Sequence, residues 1–128
     1  MTKKLLTVSF LVVFIALALA GCKSLGDISD SGNQFMTALK NQDYTASYAM
    51  LTPALQNELG GADGWKAFAE PRNFKDWKFS SNQVENDQGQ LDGEATLGTE
   101  IYNISLVLQN VDSQWKVAGI DITFKENK

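Results

Sequence analysis

The segment Gln114–Phe124, QWKVAGIDITF, closes a series of predicted strands and decides the fold. Its apolar residues alternate with others, but the alternation changes parity along the segment. Trp115 and Val117 share one parity, whereas the apolar residues that follow share the other. A parity change within one strand predicts a β-bulge, here at Ala118–Gly119, and a bulge bends a strand sharply. The segment therefore predicts the last strand of a curved sheet.

The residues before this segment, from about Phe74, also alternate with a period of two, which is typical of strands that bury one face. Turns at 86–89 and 98–100 divide them into three strands, and a turn at 110–113 leads into the fourth. The predicted buried positions are Trp77, Phe79 and Ser81 in the first strand, Leu91, Gly93, Ala95 and Leu97 in the second, and Tyr102, Ile104, Leu106 and Leu108 in the third.

The apolar residues of segment 31–70 have helical spacing instead, and the capping residues and the proline within it predict several short helices. Asp43 and Thr52 are predicted N-caps, and Pro53 suits the first position of the helix that Thr52 starts. Asp63 is predicted to cap a fourth helix. Helices followed by consecutive strands predict an α+β fold, with N-terminal helices packed on a curved antiparallel sheet of about four strands.

This order of elements, the size, and the motif QWKVAGI at 114–120 resemble the NTF2-like (cystatin-like) cone. The segment Phe35–Leu55, FMTALKNQDYTASYAMLTPAL, resembles the opening helices of small bacterial lipoproteins of that superfamily. The likeness covers residues 31–126. It consists mostly of packing motifs, so it implies a fold and says almost nothing about function.

The first 22 residues have the layout of a secretory signal. Lys3 and Lys4 precede the apolar run Leu5–Leu19, which at about fifteen residues is shorter than the roughly 20 that span a bilayer. The sequence LAGC at 19–22 resembles the lipobox of bacterial lipoproteins. The resemblance implies cleavage between Gly21 and Cys22, followed by acylation of Cys22 with diacylglyceryl and palmitate-type chains. An uncleaved anchor helix is the alternative.

The predicted organisation is a signal peptide at 1–21, the lipidated Cys22 with a tether at 22–32, and one domain at 33–128. The implied location is the bacterial cell envelope. Lys23 follows the cysteine, where an aspartate would resemble an inner-membrane retention signal. We therefore expect the outer membrane, facing the periplasm, in a Gram-negative host, and the outer face of the cell membrane otherwise.

Composition excludes several function classes. The mature chain of 107 residues has fifteen acidic and nine basic residues, a net charge of −6, which disfavours nucleic-acid binding. Histidine is absent from the sequence, and this excludes Ser-His-Asp catalysis and His-ligated zinc or haem. Acylation of Cys22 leaves no thiol for a disulfide or a thiolate metal site. We therefore predict no metal and no cofactor.

NTF2-like cones can enclose a pocket between helices and sheet, and in ketosteroid-isomerase-like members that pocket holds an acidic base and hydrogen-bond donors. No spacing here matches that motif, so no catalytic residue is assigned. Glu100 or Asp121 could serve as a base in such a pocket. Core packing is the favoured interpretation of the aromatic residues, and a pocket lining is the alternative. The candidate pocket residues are Tyr44, Tyr48, Trp65, Trp77, Glu100 and Tyr102.

The predicted function is a non-enzymatic, membrane-anchored binding module for an envelope protein or a small apolar ligand. One face of the third strand is mixed in character and is expected to stay open, where a homodimer could form. This face comprises Asn103, Ser105, Val107 and Gln109. Two alternatives remain: a pocket enzyme of isomerase or dehydratase type, and an accessory domain that positions or inhibits a larger envelope enzyme.

Overall fold

The computed structural model describes residues 28–127, so the predicted signal, Cys22 and the residues up to Asp27 lie outside it. The helices are α1 (Ile28–Lys40), α2 (Tyr44–Ala49), α3 (Pro53–Glu58) and α4 (Gly61–Ala69), and a short 3-10 helix (Glu70–Arg72) follows. The strands are β1 (Asp76–Glu85), β2 (Gln88–Leu97), β3 (Glu100–Val111) and β4 (Gln114–Asn127). They form one antiparallel sheet in the order β1-β2-β3-β4. The predicted α+β class and strand order are confirmed.

Helix α1 begins earlier than the sequence predicts. Residues 28–32, predicted as part of the tether, are its first turns, and Ile28 is only 1% exposed. The residues around Ile28 are mostly polar, so the sequence did not predict that its apolar side chain packs over Gly89 of β2. Asp30, which sits in the first turn, also favours a helix start because its charge complements the helix dipole.

The starts of the short helices largely agree with the predicted N-caps. Asp43 and Thr52 are N-caps, and each side-chain oxygen accepts a backbone N–H three residues later, at 3.1 and 3.3 Å. Asp63 is not a cap, because α4 already begins at Gly61 and Asp63 lies in its first turn. Gly60, the residue before α4, has a φ of +91°, a left-handed conformation that glycine adopts without strain.

Three breaks in register curve the sheet. The predicted bulge is confirmed: Val117 pairs with β3 next to Gly119, and Ala118 is skipped. A second break skips Lys125, and a third, which the sequence did not predict, skips Ser80 in β1. The break at Ser80 places Ser81 opposite Asp92, on the open face of the sheet rather than on the predicted buried face. Each extra residue bends its strand and increases the local twist.

The helices and one face of the sheet share a single core. Phe35, Trp65 and Leu106 are fully buried in it. The segment between α2 and α3 ties the helices to β4, since Leu51 forms a parallel bridge with Val117. Two backbone hydrogen bonds of 2.8 and 2.9 Å support that bridge. Within residues 28–127, no helix has the length and hydropathy to cross a membrane.

Candidate functional site

Trp65, a candidate pocket residue, is part of the core. Its side chain is fully buried, with ring centroids 5.7 Å from Phe35 and 5.6 Å from Phe68. Its indole Nε1–H donates a 2.8 Å hydrogen bond to the hydroxyl of Ser47, which is also fully buried. The packing and the satisfied donor account for Trp65 without a ligand.

Tyr44, Tyr48 and Trp77 pack at the margin of the core. The two tyrosines lie on α2 and are half-buried. Trp77 lies near the start of β1, and its indole nitrogen donates a 2.8 Å hydrogen bond to the side chain of Asn33 on α1. Trp77 therefore fixes the first helix to the edge strand.

Glu100 and Tyr102, the two remaining candidates, do come together. The Tyr102 hydroxyl donates a 2.8 Å hydrogen bond to Oε1 of Glu100. This hydrogen bond, followed by partial burial and the negative charge of Glu100, raises the pKa of Tyr102 above its ordinary 10.0, against a lowering by Arg72. The hydroxyl stays neutral, and its proton is directed to the carboxylate two residues away.

Aromatic rings surround this pair at one end of the sheet. Tyr102 meets Phe74 and Phe124 edge-on, with centroids 5.8 and 5.6 Å apart. Register places Trp77, Ala95, Tyr102 and Phe124 in one row across the four strands. Phe124 is 53% exposed, and we call this end of the sheet the aromatic end.

The opposite face of the sheet carries a polar trough of about 520 Å³. Two cross-strand rows supply most of its lining. One row is Lys78, Glu94, Asn103 and Thr123, and the other is Asp92, Ser105 and Asp121. The bulge residue Ser80 also lines the trough, and its hydroxyl donates a 3.4 Å hydrogen bond to the backbone oxygen of Asp92. We call this surface the open-face trough.

Polar contacts already organise part of the trough. Lys125 forms an ion pair with Glu94 across β3. The amide nitrogen of Gln90 donates to Asp92 at 3.0 Å and to the hydroxyl of Ser105 at 3.3 Å. Within residues 28–127, acidic side chains do not gather into a group of three that could hold a metal ion. The trough can therefore offer donors, acceptors and both signs of charge to a polar surface.

The sequence located only part of this trough. Asn103 and Ser105 were expected on an open face, and the structure places them there. Asp121 was considered as a pocket base, but it pairs with Ser105 on the open face, opposite in parity to Tyr102. Asp92 lies on the same open face, within β2, where it pairs with Ser105. Strand parity is the sequence signal that places Asp92 and Asp121 on the open face, because each alternates with the buried residues of its strand.

Comparison with solved structures identifies the architecture. An NTF2-like protein of unknown function from Silicibacter pomeroyi superposes with a TM-score of 0.62 at 12% identity, over 81% of this chain and 98% of that one. The chain has the NTF2-like fold. An NTF2-like protein of unknown function from Cytophaga hutchinsonii gives a TM-score of 0.52 at 15% identity, covering 76% of this chain and 88% of its own.

A de novo designed protein with a curved β-sheet is also similar to this NTF2-like chain. Its TM-score is 0.53 at 14% identity, over 70% of this chain and 91% of the designed one. No protein-family model and no curated protein sequence matches the chain. At these identities the likeness establishes the NTF2-like fold alone, and function must be argued from the surfaces described above.

Proposed function

We propose that this protein is a lipoprotein of the bacterial cell envelope, anchored through Cys22, whose NTF2-like domain binds a protein partner through the open-face trough. The anchor rests on the signal layout and on the sequence LAGC at 19–22. Two or three acyl chains hold a protein on a membrane almost permanently. The domain would then meet other envelope proteins at high effective concentration.

The helix-facing residues support a binding role over a catalytic one. Trp65 is packed into the core and its only donor is satisfied. Tyr102, the best placed hydroxyl donor, directs its proton to Glu100, which was the candidate base. A donor and a base that bind each other are not arranged to hold a substrate oxygen and abstract a proton from the same substrate.

The open-face trough is the observation that carries the proposal. It is broad, most of the side chains that line it are polar, and Lys78, Glu94 and Asp121 give it both signs of charge. A small apolar ligand would remove water from Lys78 and Asp121 without pairing their charges, whereas a protein surface can pair them. The chemistry of the face therefore fits a protein partner, which includes a second copy of this chain.

The anchor is tested by the mass of the mature protein extracted from bacterial membranes. We expect an N-terminus at Cys22 that carries diacylglyceryl and acyl chains. Cys22→Ala should abolish that mass and release the protein from the membrane fraction. A full-length chain that retains residues 1–21 and still fractionates with membranes would refute the lipoprotein proposal and favour an uncleaved anchor.

Binding is tested by a photo-crosslinking amino acid placed at Asn103 in the trough of the lipidated protein in cells. The matched control carries it at Asn57, an exposed position on α3. We expect a discrete protein adduct at Asn103 and not at Asn57. An adduct of twice the protomer mass identifies a homodimer. Equal adducts at both positions, or an adduct only at Asn57, would refute the trough as the binding surface.

A further inference from the structure

The start of α1 is fixed to one end of the sheet. Ile28 is buried and packs over Gly89, where even a methyl group on the glycine would overlap its side chain. The Ser29 hydroxyl accepts a 3.1 Å hydrogen bond from the side-chain amide of Asn82. Both contacts lie near the β1–β2 turn, so we call residues 85–88 and their surroundings the hairpin end.

The sequence between the lipid and this end is short. Cys22 and Ile28 are six residues apart. A fully extended chain advances at most about 3.6 Å per residue, so the two residues can be separated by no more than about 22 Å. Whatever conformation the intervening residues adopt, a lipid on Cys22 holds the hairpin end within that distance of the membrane.

The aromatic end lies at the other end of the same strands. β2 runs ten residues, from Gln88 at the hairpin end to Leu97 beside the β2–β3 turn. At about 3.3 Å per residue it is about 33 Å long. The domain therefore cannot stand inverted with the aromatic end against the bilayer, because the hairpin end would then exceed the reach of the tether.

The net charge of the domain favours an upright orientation over one in which the domain lies flat on the membrane. The mature chain has a net charge of −6, and an anionic lipid surface repels it. The tether forces only the hairpin end to stay close. Repulsion then moves the remainder of the domain away from the surface, and this favours strands that point away from the membrane.

We propose that the hairpin end is the membrane-proximal pole and that the aromatic end, with Phe124, is the membrane-distal pole. This orientation rests on the proposed anchor and specifies the partner further. Glu94 lies six residues along β2 from Gln88. The trough is therefore about 20 Å above the hairpin end, facing sideways. Its partner is an extramembrane segment of an envelope protein, not a helix within the bilayer.

The test uses the lipidated full mature protein in vesicles of phosphatidylethanolamine and phosphatidylglycerol. Acylation occupies the sulfur of Cys22, so an introduced cysteine is the only free thiol to label with a fluorescent donor. Gln88→Cys reports on the hairpin end, Asn103→Cys on the trough and Thr99→Cys on the aromatic end. Energy transfer to acceptor-labelled headgroups should fall in that order. It should be at least about twofold weaker at 99 than at 88, given the strand length of about 33 Å.

Three outcomes would overturn the orientation while the protein still floats with the vesicles: equal transfer at all positions, stronger transfer at 99 than at 88, or an order that persists unchanged with a longer tether. The longer tether is made by inserting a flexible Gly-Ser segment between Ser24 and Leu25. It should weaken energy transfer at 88 and reduce the difference in transfer between positions 88 and 99. Loss of flotation for every variant would instead refute the anchor, so the two failures are distinguishable.

Discussion

Replacing Ser47 with alanine tests whether Trp65 belongs to a closed core or to a pocket that water can enter. The change removes the hydroxyl that accepts the indole N–H at 2.8 Å, where both side chains are fully buried. A buried donor left without a partner costs about 1–3 kcal/mol. Alanine returns up to about 0.5 kcal/mol through its helix propensity. We therefore expect Ser47→Ala to lower the free energy of unfolding by about 1–2 kcal/mol.

Urea unfolding followed by tryptophan fluorescence measures this loss. With a slope of about 2 kcal/mol per molar urea, the middle of the usual range, the midpoint should fall by about 0.5–1 M. Asn33→Ala is the matched control, because Asn33 accepts the indole N–H of Trp77 at the same distance but at an exposed site. Water can replace that acceptor, so the control should change stability by less than about 0.5 kcal/mol. Equal effects of the two variants, or none from Ser47→Ala, would mean that water reaches Trp65 and that the core contains an open pocket.

The remaining predictions concern the sheet. Gly93→Ala should destabilise by about 1–3 kcal/mol in the same assay, because its Cβ would overlap the Lys78 carbonyl oxygen and lie 2.7 Å from the Phe79 Cα, both fixed backbone atoms. Gly119→Ala meets only Val107, at 3.5 Å, and should be neutral or stabilise by up to about 1 kcal/mol; a loss as large as that of Gly93→Ala would contradict the close-approach argument. Glu100→Ala should lower the pKa of Tyr102, seen as tyrosinate absorption at lower pH, and an unchanged titration would show that Glu100 is not the cause. Since the folded-state pKa is raised, the pair contributes its stability fully below pH 10.0 and loses it as pH rises through that raised value.

Local patterns predicted the fold well because each depends on neighbouring residues. The parity change around Ala118 located a bulge, and Asp43 and Thr52 located two helix starts. The early start of α1 was missed because the burial of Ile28 depends on its contact with Gly89, some sixty residues away in the sequence. The bulge at Ser80 was missed because alternation in β1 is weak within four consecutive polar residues, Ser80 to Gln83.

The candidate site was harder to predict because it depends on contacts across strands. Glu100 and Tyr102 were both candidate residues, but their hydrogen bond was not predicted, because Glu100 was expected in a turn and the structure places it in β3. The open-face trough needs the register of four strands at once, and a shift of one residue would move Asp92 or Asp121 to the other face. Trp65 could not be assigned to core or pocket from the sequence, since the deciding partner, Ser47, lies on another helix.

The breaks in register along β4 have a consequence for how copies of the protein meet under the proposed membrane anchor. Within residues 28–127, no strand pairs with the outer edge of β4 beyond Val117. Lipid-anchored copies that diffuse in two dimensions would present such edges to one another repeatedly, and an exposed flat edge invites intermolecular sheet growth. The skipped residues Ala118 and Lys125 bend and twist this edge at two places. The same irregularities that curve the sheet thus oppose edge-to-edge association between copies of the domain.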